Sequence, residues 1–230
     1  RRHDEAETDY KALTSNATTA SIFTLDYGAF LERRKRHADA VALYDAALRA
    51  APGDLGLLRA RARAAAKGAP PPAPTIRQGA AEGLIACAAT FAGERQVQFA
   101  QAYLRLALRL DPNRDEAWVL LGDLLNQNED PKGAIEAFSR VPPTSTQYVT
   151  AQTKTAWSLN DLGDKAKALE VARAAAAAAP NNRDAQVALA DLLRSGGQWN
   201  ESVAVLDPVI AREADAPDWR LLYLRAVSLE

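Results

Sequence analysis

DEAWVLLGDLLNQNEDPKGAIEAFSR, residues 115–140, holds two helices and the turn between them. Trp118, Leu121, Gly122 and Leu125 stand at i, i+3, i+4 and i+7, which puts them on one helical face. Asp130 then offers an N-cap, and Pro131 takes the first helical position, where a missing N–H costs nothing. Ala134 and Phe138 carry the small-then-large order onto a second helix, which runs to about Arg140 before Pro142 and Pro143 stop it. Gly122 and Ala134 therefore mark a helix crossing. Missing side chains let the two backbones approach, and large neighbours fill the grooves on either side.

The same order recurs along the chain. A small residue precedes a large one by four positions at Ala6…Tyr10, Ala40…Tyr44, Ala100…Leu104, Ala134…Phe138 and Ser202…Leu206, and Ala168…Ala172 keeps the place without the bulk. Ala6 and Ala40 are 34 residues apart, and so are the last four anchors in succession. Pro52, Pro112 and Pro180 each follow an anchor by twelve, while Gly28, Ala88, Gly122, Ala156 and Ala190 each precede one by twelve. Gly163-Asp164 and Gly196-Gly197 mark later turns. A fixed period of this length signals stacked two-helix repeats.

These residues resemble the tetratricopeptide repeat, with its W-x2-LG-x2-L…A-x3-F order and a proline closing several units. The resemblance implies an all-α solenoid of helix-turn-helix units forming a right-handed superhelix. Repeats are expected at 21–54, 81–114, 115–148, 149–182 and 183–218, with a half repeat at 1–14 and another at 219–230. Thr146 replaces one closing proline, Ala172 one aromatic anchor, and 183–218 runs about two residues over the period.

The clock breaks at 55–80. LGLLRARARAAAKG reads as one extra helix, 55–67, with Leu58, Ala62 and Ala65 in first-helix register. APPPAPTIRQG follows where a second helix should stand. Its prolines favour polyproline II, so 69–78 reads as a linker or surface-hugging strap. Units 1–68 and 79–230 flank it, either in one continuous solenoid or as two subdomains. The GAAEGL helix after a proline-rich segment, the later YLRLAL and VPP are also similar to exported repeat proteins of alpha-proteobacteria. That resemblance implies a periplasmic or cell-envelope setting, the cytoplasm being the alternative.

Composition narrows the chemistry. Of 230 residues, 48% are hydrophobic and 25% charged, enough for a substantial core, and no apolar stretch is long enough to span a bilayer. The chain lacks methionine and ends inside a helical pattern, as a piece of a longer protein would. Its net charge of −1 exerts no global pull toward nucleic acid or membrane. One cysteine excludes an internal disulfide. Cys87, between Leu84 and Ala88, reads as a buried core residue, and His3 and His37 as solvated helix residues. Phosphate-cradling, nucleophile-elbow and metal-ligand motifs are absent, so neither cofactor, metal nor enzyme activity is expected. Residues 1–68 carry net +3 and the remainder −4, and ERRKRH, 32–37, concentrates the positive charge. Without a continuous basic track or aromatic platforms, this run reads as a solvated turn or a contact for an acidic partner, not a nucleic-acid site.

Function is therefore expected from shape. In tetratricopeptide proteins the first helices line a concave groove at unit positions 2, 5, 9 and 12, a family property that the resemblance carries over. Here that stripe reads Glu82, Ile85, Ala89 and Ala92; Glu116, Val119, Asp123 and Asn126; Thr150, Thr153, Trp157 and Asn160; and Asp184, Val187, Asp191 and Arg194. The face is mainly acidic and amide-bearing, and lacks the lysine-and-asparagine clamp for a C-terminal carboxylate. A noncatalytic scaffold for a basic or amphipathic protein segment is the expectation. The alternatives are a module that assembles or regulates a larger enzyme, whose catalytic domain lies elsewhere, and an RNA-binding solenoid.

Overall fold

The computed structural model describes residues 2–213 and 218–230, with the side chains of all but Ala17 and Thr18. Arg1, in the expected half repeat 1–14, and residues 214–217, in the expected repeat 183–218, lie outside the described residues. Among the described residues the chain is all helix: α1 (His3–Ser15), α2 (Ala17–Arg33), α3 (His37–Ala50), α4 (Leu55–Ala65), α5 (Ile76–Gly93), α6 (Val97–Leu110), α7 (Asp115–Gln127), α8 (Pro131–Phe138), α9 (Tyr148–Asp161), α10 (Lys165–Ala178), α11 (Arg183–Ser195), α12 (Trp199–Arg212) and α13 (Trp219–Leu229). They fall into two compact units, Arg1–Asp111 and Pro112–Glu230. None is long and apolar enough to cross a membrane.

Each hairpin turns in the same way. Lys35, Arg95, Glu129, Gly163 and Gly197 all adopt the left-handed conformation, with φ of 61°, 60°, 59°, 82° and 75°. The last four keep the 34-residue spacing. After each, the next N–H donates back into the helix just ended: Arg36 to Leu31 O at 2.9 Å, Asp130 to Leu125 O at 2.9 Å, Asp164 to Leu159 O at 3.0 Å. This is a Schellman closure, and it satisfies carbonyls the helix end would orphan. Asp130 and Asp164 then cap the second helix by accepting from Gly133 N and Lys167 N.

The crossings fall at the small residues. A Cβ on Gly122 would lie 2.3 Å from Phe138 Cε1, and one on Gly28 2.2 Å from Tyr44 Cζ. Ala134, Phe138, Ala40 and Tyr44 are wholly buried. Burying a side chain such as Phe138 contributes roughly 1.5–3 kcal/mol, and only a hydrogen atom at position 122 leaves room for it. In the first unit Tyr44 has a second task. Its hydroxyl donates to Glu32 Oε1 at 2.8 Å, and Arg63 donates to both carboxylate oxygens at 2.8 and 3.0 Å. Glu32 is only 2% exposed, so this fully bonded charge ties α2, α3 and α4 together.

Several expectations are corrected here. The buried face of α4 is Leu57, Ala60 and Ala64, while Leu58, Ala62 and Ala65 are exposed, so the helix is rotated by one to two residues from the expected register. The inward demand of Glu32 on Arg63 explains the rotation. The proline strap ends earlier than 78, because Thr75 and Gln78 form a capping box that starts α5 at Ile76. The strap lies inside the first compact unit, and Arg33 donates to Pro71 O at 3.0 Å and Pro72 O at 3.3 Å. Helix α8 stops at Phe138, two residues short of Arg140. Cys87 is exposed rather than buried. His3 and His37 are half-buried, with the His3 ring 6.5 Å from Phe30.

Candidate functional site

In the second unit the first helices α7, α9, α11 and α13 contact one another in succession, while α7, α9 and α11 each pack on their own second helix and α13 packs on α12. Nine of the ten singled-out residues lie on α7, α9 and α11. The tenth, Glu82, sits on α5 in the first unit and is buried, so it is not a groove residue. Of the nine, Glu116 is exposed, Val119 is buried against the core, and Asn160 is half-buried.

Much of the expected acidity is spent internally. Lys154 Nζ donates to Asp123 Oδ1 at 2.7 Å across α7 and α9. Asp191 is held by Arg194 of its own helix. Asn126 Nδ2 donates to Ser158 Oγ at 2.9 Å, again across α7 and α9. Thr153 donates to Val149 O at 2.9 Å and is nearly buried. Asp184 differs: its side chain is 89% exposed, and its nearest cation, Arg183, stands 4.0 Å away.

Thr153, Trp157 and Asp184 meet in a cleft of ≈ 330 Å³ between α9 and α11. Thr150, Lys154, Asn182, Val187 and Ala188 complete its lining. Trp157 is half-buried, with one side packed on the core that contains Leu159, Ala168 and Leu192, while part of it lines the cleft. Asn182 is committed as the N-cap of α11, accepting from Ala185 N at 3.0 Å. Lys154, Asn182 and Ala188 were not in the expected stripe. Lys154 and Ala188 occupy unit position 6, and only the facing of consecutive first helices brings that position beside position 9 of the helix before.

The first unit has its own cleft of ≈ 420 Å³, walled mainly by small apolar side chains such as Ala46, Ala47 and Ala50 with Leu25 and Leu57. Its charged residue, Asp54, caps α4 by accepting from Leu57 N at 2.9 Å. The basic run 32–37 is largely occupied within the chain. Arg33 holds the strap, Arg36 pairs with Glu7 and Asp39, and Glu32 is buried. Among the described residues no group of three or more metal-ligating side chains comes together.

Comparison with known proteins agrees with this architecture. No curated protein matches the chain. A structure of MamA superposes with a TM-score of 0.53 at 19% identity, over 82% of this chain and 95% of the other. YrrB, described as a tetratricopeptide repeat protein with an unusual peptide-binding site, gives 0.53 at 17% identity over 92% and 98%. The Cut9–Hcn1 hetero-tetramer of the APC/C gives 0.59 at 13% identity, over all of this chain and 40% of the other. At such identities the likeness is one of fold. Family models of the tetratricopeptide repeat match residues 159–226, and 1–54 with 91–149. With its 34-residue clock, crossings at glycine or alanine and repeated left-handed turns, the chain belongs to the tetratricopeptide repeat family.

Proposed function

We propose that this chain is a noncatalytic scaffold that holds a basic or amphipathic protein segment against the first helices of its second unit. The cleft at Trp157 carries the reading. It combines an aromatic face, apolar Val187 and Ala188, and an exposed carboxylate, the mixture that gives a peptide both contact area and orientation. The peptide-binding site ascribed to YrrB, a protein of the same fold, supports a peptide as the ligand class. The likeness of GAAEGL, YLRLAL and VPP to exported alpha-proteobacterial repeat proteins supports an envelope setting. A peptide array probed with the whole chain tests the reading. Segments containing lysine or arginine should be enriched, and Trp157→Ala should weaken their binding by about 2 kcal/mol or more. Enrichment of acidic segments, or affinity unchanged in Trp157→Ala, would count against it.

A further inference from the structure

The cleft exists because a side chain is missing. Between α7 and α9, position 9 of one unit and position 6 of the next are filled by Asp123 and Lys154, bonded at 2.7 Å. Between α9 and α11 the same two places hold Trp157 and Ala188. Ala188 ends at its Cβ, so position 6 of α11 puts no long side chain over the half of the indole that lines the cleft, while Leu192 of the same helix belongs to the core beneath its other side.

Charge decides where a cation goes. Lys154 contributes the positive group of the cleft, and its ammonium is drawn toward Asp123. Arg183, the neighbour of Asp184, donates its Nε to Glu213 and its Nη2 to Asp218, both at 2.7 Å. The Asp184 carboxylate is therefore left facing solvent, with neutral Thr150 and Asn182 lining its end of the cleft. A second cation is repelled at Lys154 and attracted at Asp184.

Spacing decides the rest. Asp184 and Thr150 share unit position 2, and Trp157 lies seven residues beyond Thr150, a rise of about 10 Å along the helix. Side chains two apart on an extended strand are separated by about 7 Å, and the reach of a lysine or arginine covers the difference. Resting on the proposal that this face binds peptides, we infer that the cleft selects an extended segment with a large apolar residue two positions from a lysine or arginine. The apolar group packs on Trp157 and Val187 over Ala188, which is buried at the floor of the cleft, and the cation pairs with Asp184.

Fluorescence polarisation with capped, labelled peptides tests this. The parent is Gly-Ser-Leu-Ser-Lys-Ser-Gly, compared with versions carrying norleucine for lysine or alanine for leucine. Each replacement should weaken binding to the parent protein at least fivefold. Asp184→Asn, at an exposed position that the fold does not depend on, should abolish the lysine-over-norleucine preference. Ala188→Leu, which supplies the missing side chain, should remove the leucine-over-alanine preference. An undiminished lysine preference in Asp184→Asn overturns the assignment while leaving peptide binding at this face intact. Failure of every peptide to bind at millimolar concentration, alongside array hits that still depend on Trp157, overturns the motif alone. The same failure without such hits overturns both.

Discussion

Gly122 and Phe138 show how one atom sets a helix crossing. Because a Cβ at 122 would stand 2.3 Å from the Phe138 ring, Gly122→Ala must push the two helices apart or force the ring off its rotamer. Overpacking of this kind costs roughly 1–3 kcal/mol. Gly83, on the exposed side of α5, has nothing within 4 Å of its would-be Cβ. There alanine only removes backbone freedom from the unfolded chain, and should stabilise by roughly 0.5–1 kcal/mol. Urea midpoints at unchanged slope measure both, and shifts of the same sign would mean the crossing is misplaced. Such small residues were legible in the sequence because spacing alone exposes them. The side of α5 that Cys87 occupies was not. IRQGAAEGLIACAATFAG is apolar on nearly every face, so periodicity cannot choose which side is buried, and Cys87 is exposed.

At the scale of elements, helix pairs were readable and their partners less so. Turns at Gly163 and Gly197 announce themselves, whereas Lys35, Arg95 and Glu129 adopt the same left-handed geometry with side chains that give no warning. The acidic stripe was likewise visible, but not the lysine that α9 supplies to neutralise Asp123, because that pairing belongs to the stacking of consecutive units. The proline strap is the exception to the helical plan. Residues 71–75 are exposed and precede a capped helix, and Arg33 bonds two of the strap carbonyls. With little packing of its own, the strap should be the first internal segment to open. Trypsin should cut at Lys67 ahead of Lys132 or Lys165, and Arg33→Ala should speed that cut severalfold. Earlier cleavage at Lys132 or Lys165 would show that the prolines are held more firmly than these bonds alone provide.

Over the whole molecule, the two units differ in how they use carboxylates. In the first, hydrogen bonds from Arg36 and Lys11 hold Glu7 down to about 2, against an ordinary value of 4.5. Burial pushes Glu32 up, but hydrogen bonds from Arg63 and Tyr44 outweigh it and leave its pKa lowered; the Arg61 hydrogen bond lowers Asp45. Among the described residues of the second unit only Asp218 shows such a lowering, from the Arg220 backbone N–H and then Arg183. A carboxylate depressed in the folded state stabilises above its unfolded pKa, and that contribution is lost as pH falls through the folded value. The first unit should therefore weaken more than the second as pH drops from about 4.5 toward 2. The distribution of tryptophan makes this measurable. All four, Trp118, Trp157, Trp199 and Trp219, lie in the second unit, so their fluorescence reports that unit, while far-ultraviolet circular dichroism reports helices in both. On acid titration the loss of helical signal should begin before the tryptophan emission shifts, and Glu32→Gln should move that first loss to higher pH. Coincident transitions, or a tryptophan shift that comes first, would show that the carboxylates of the first unit do not set its acid stability apart.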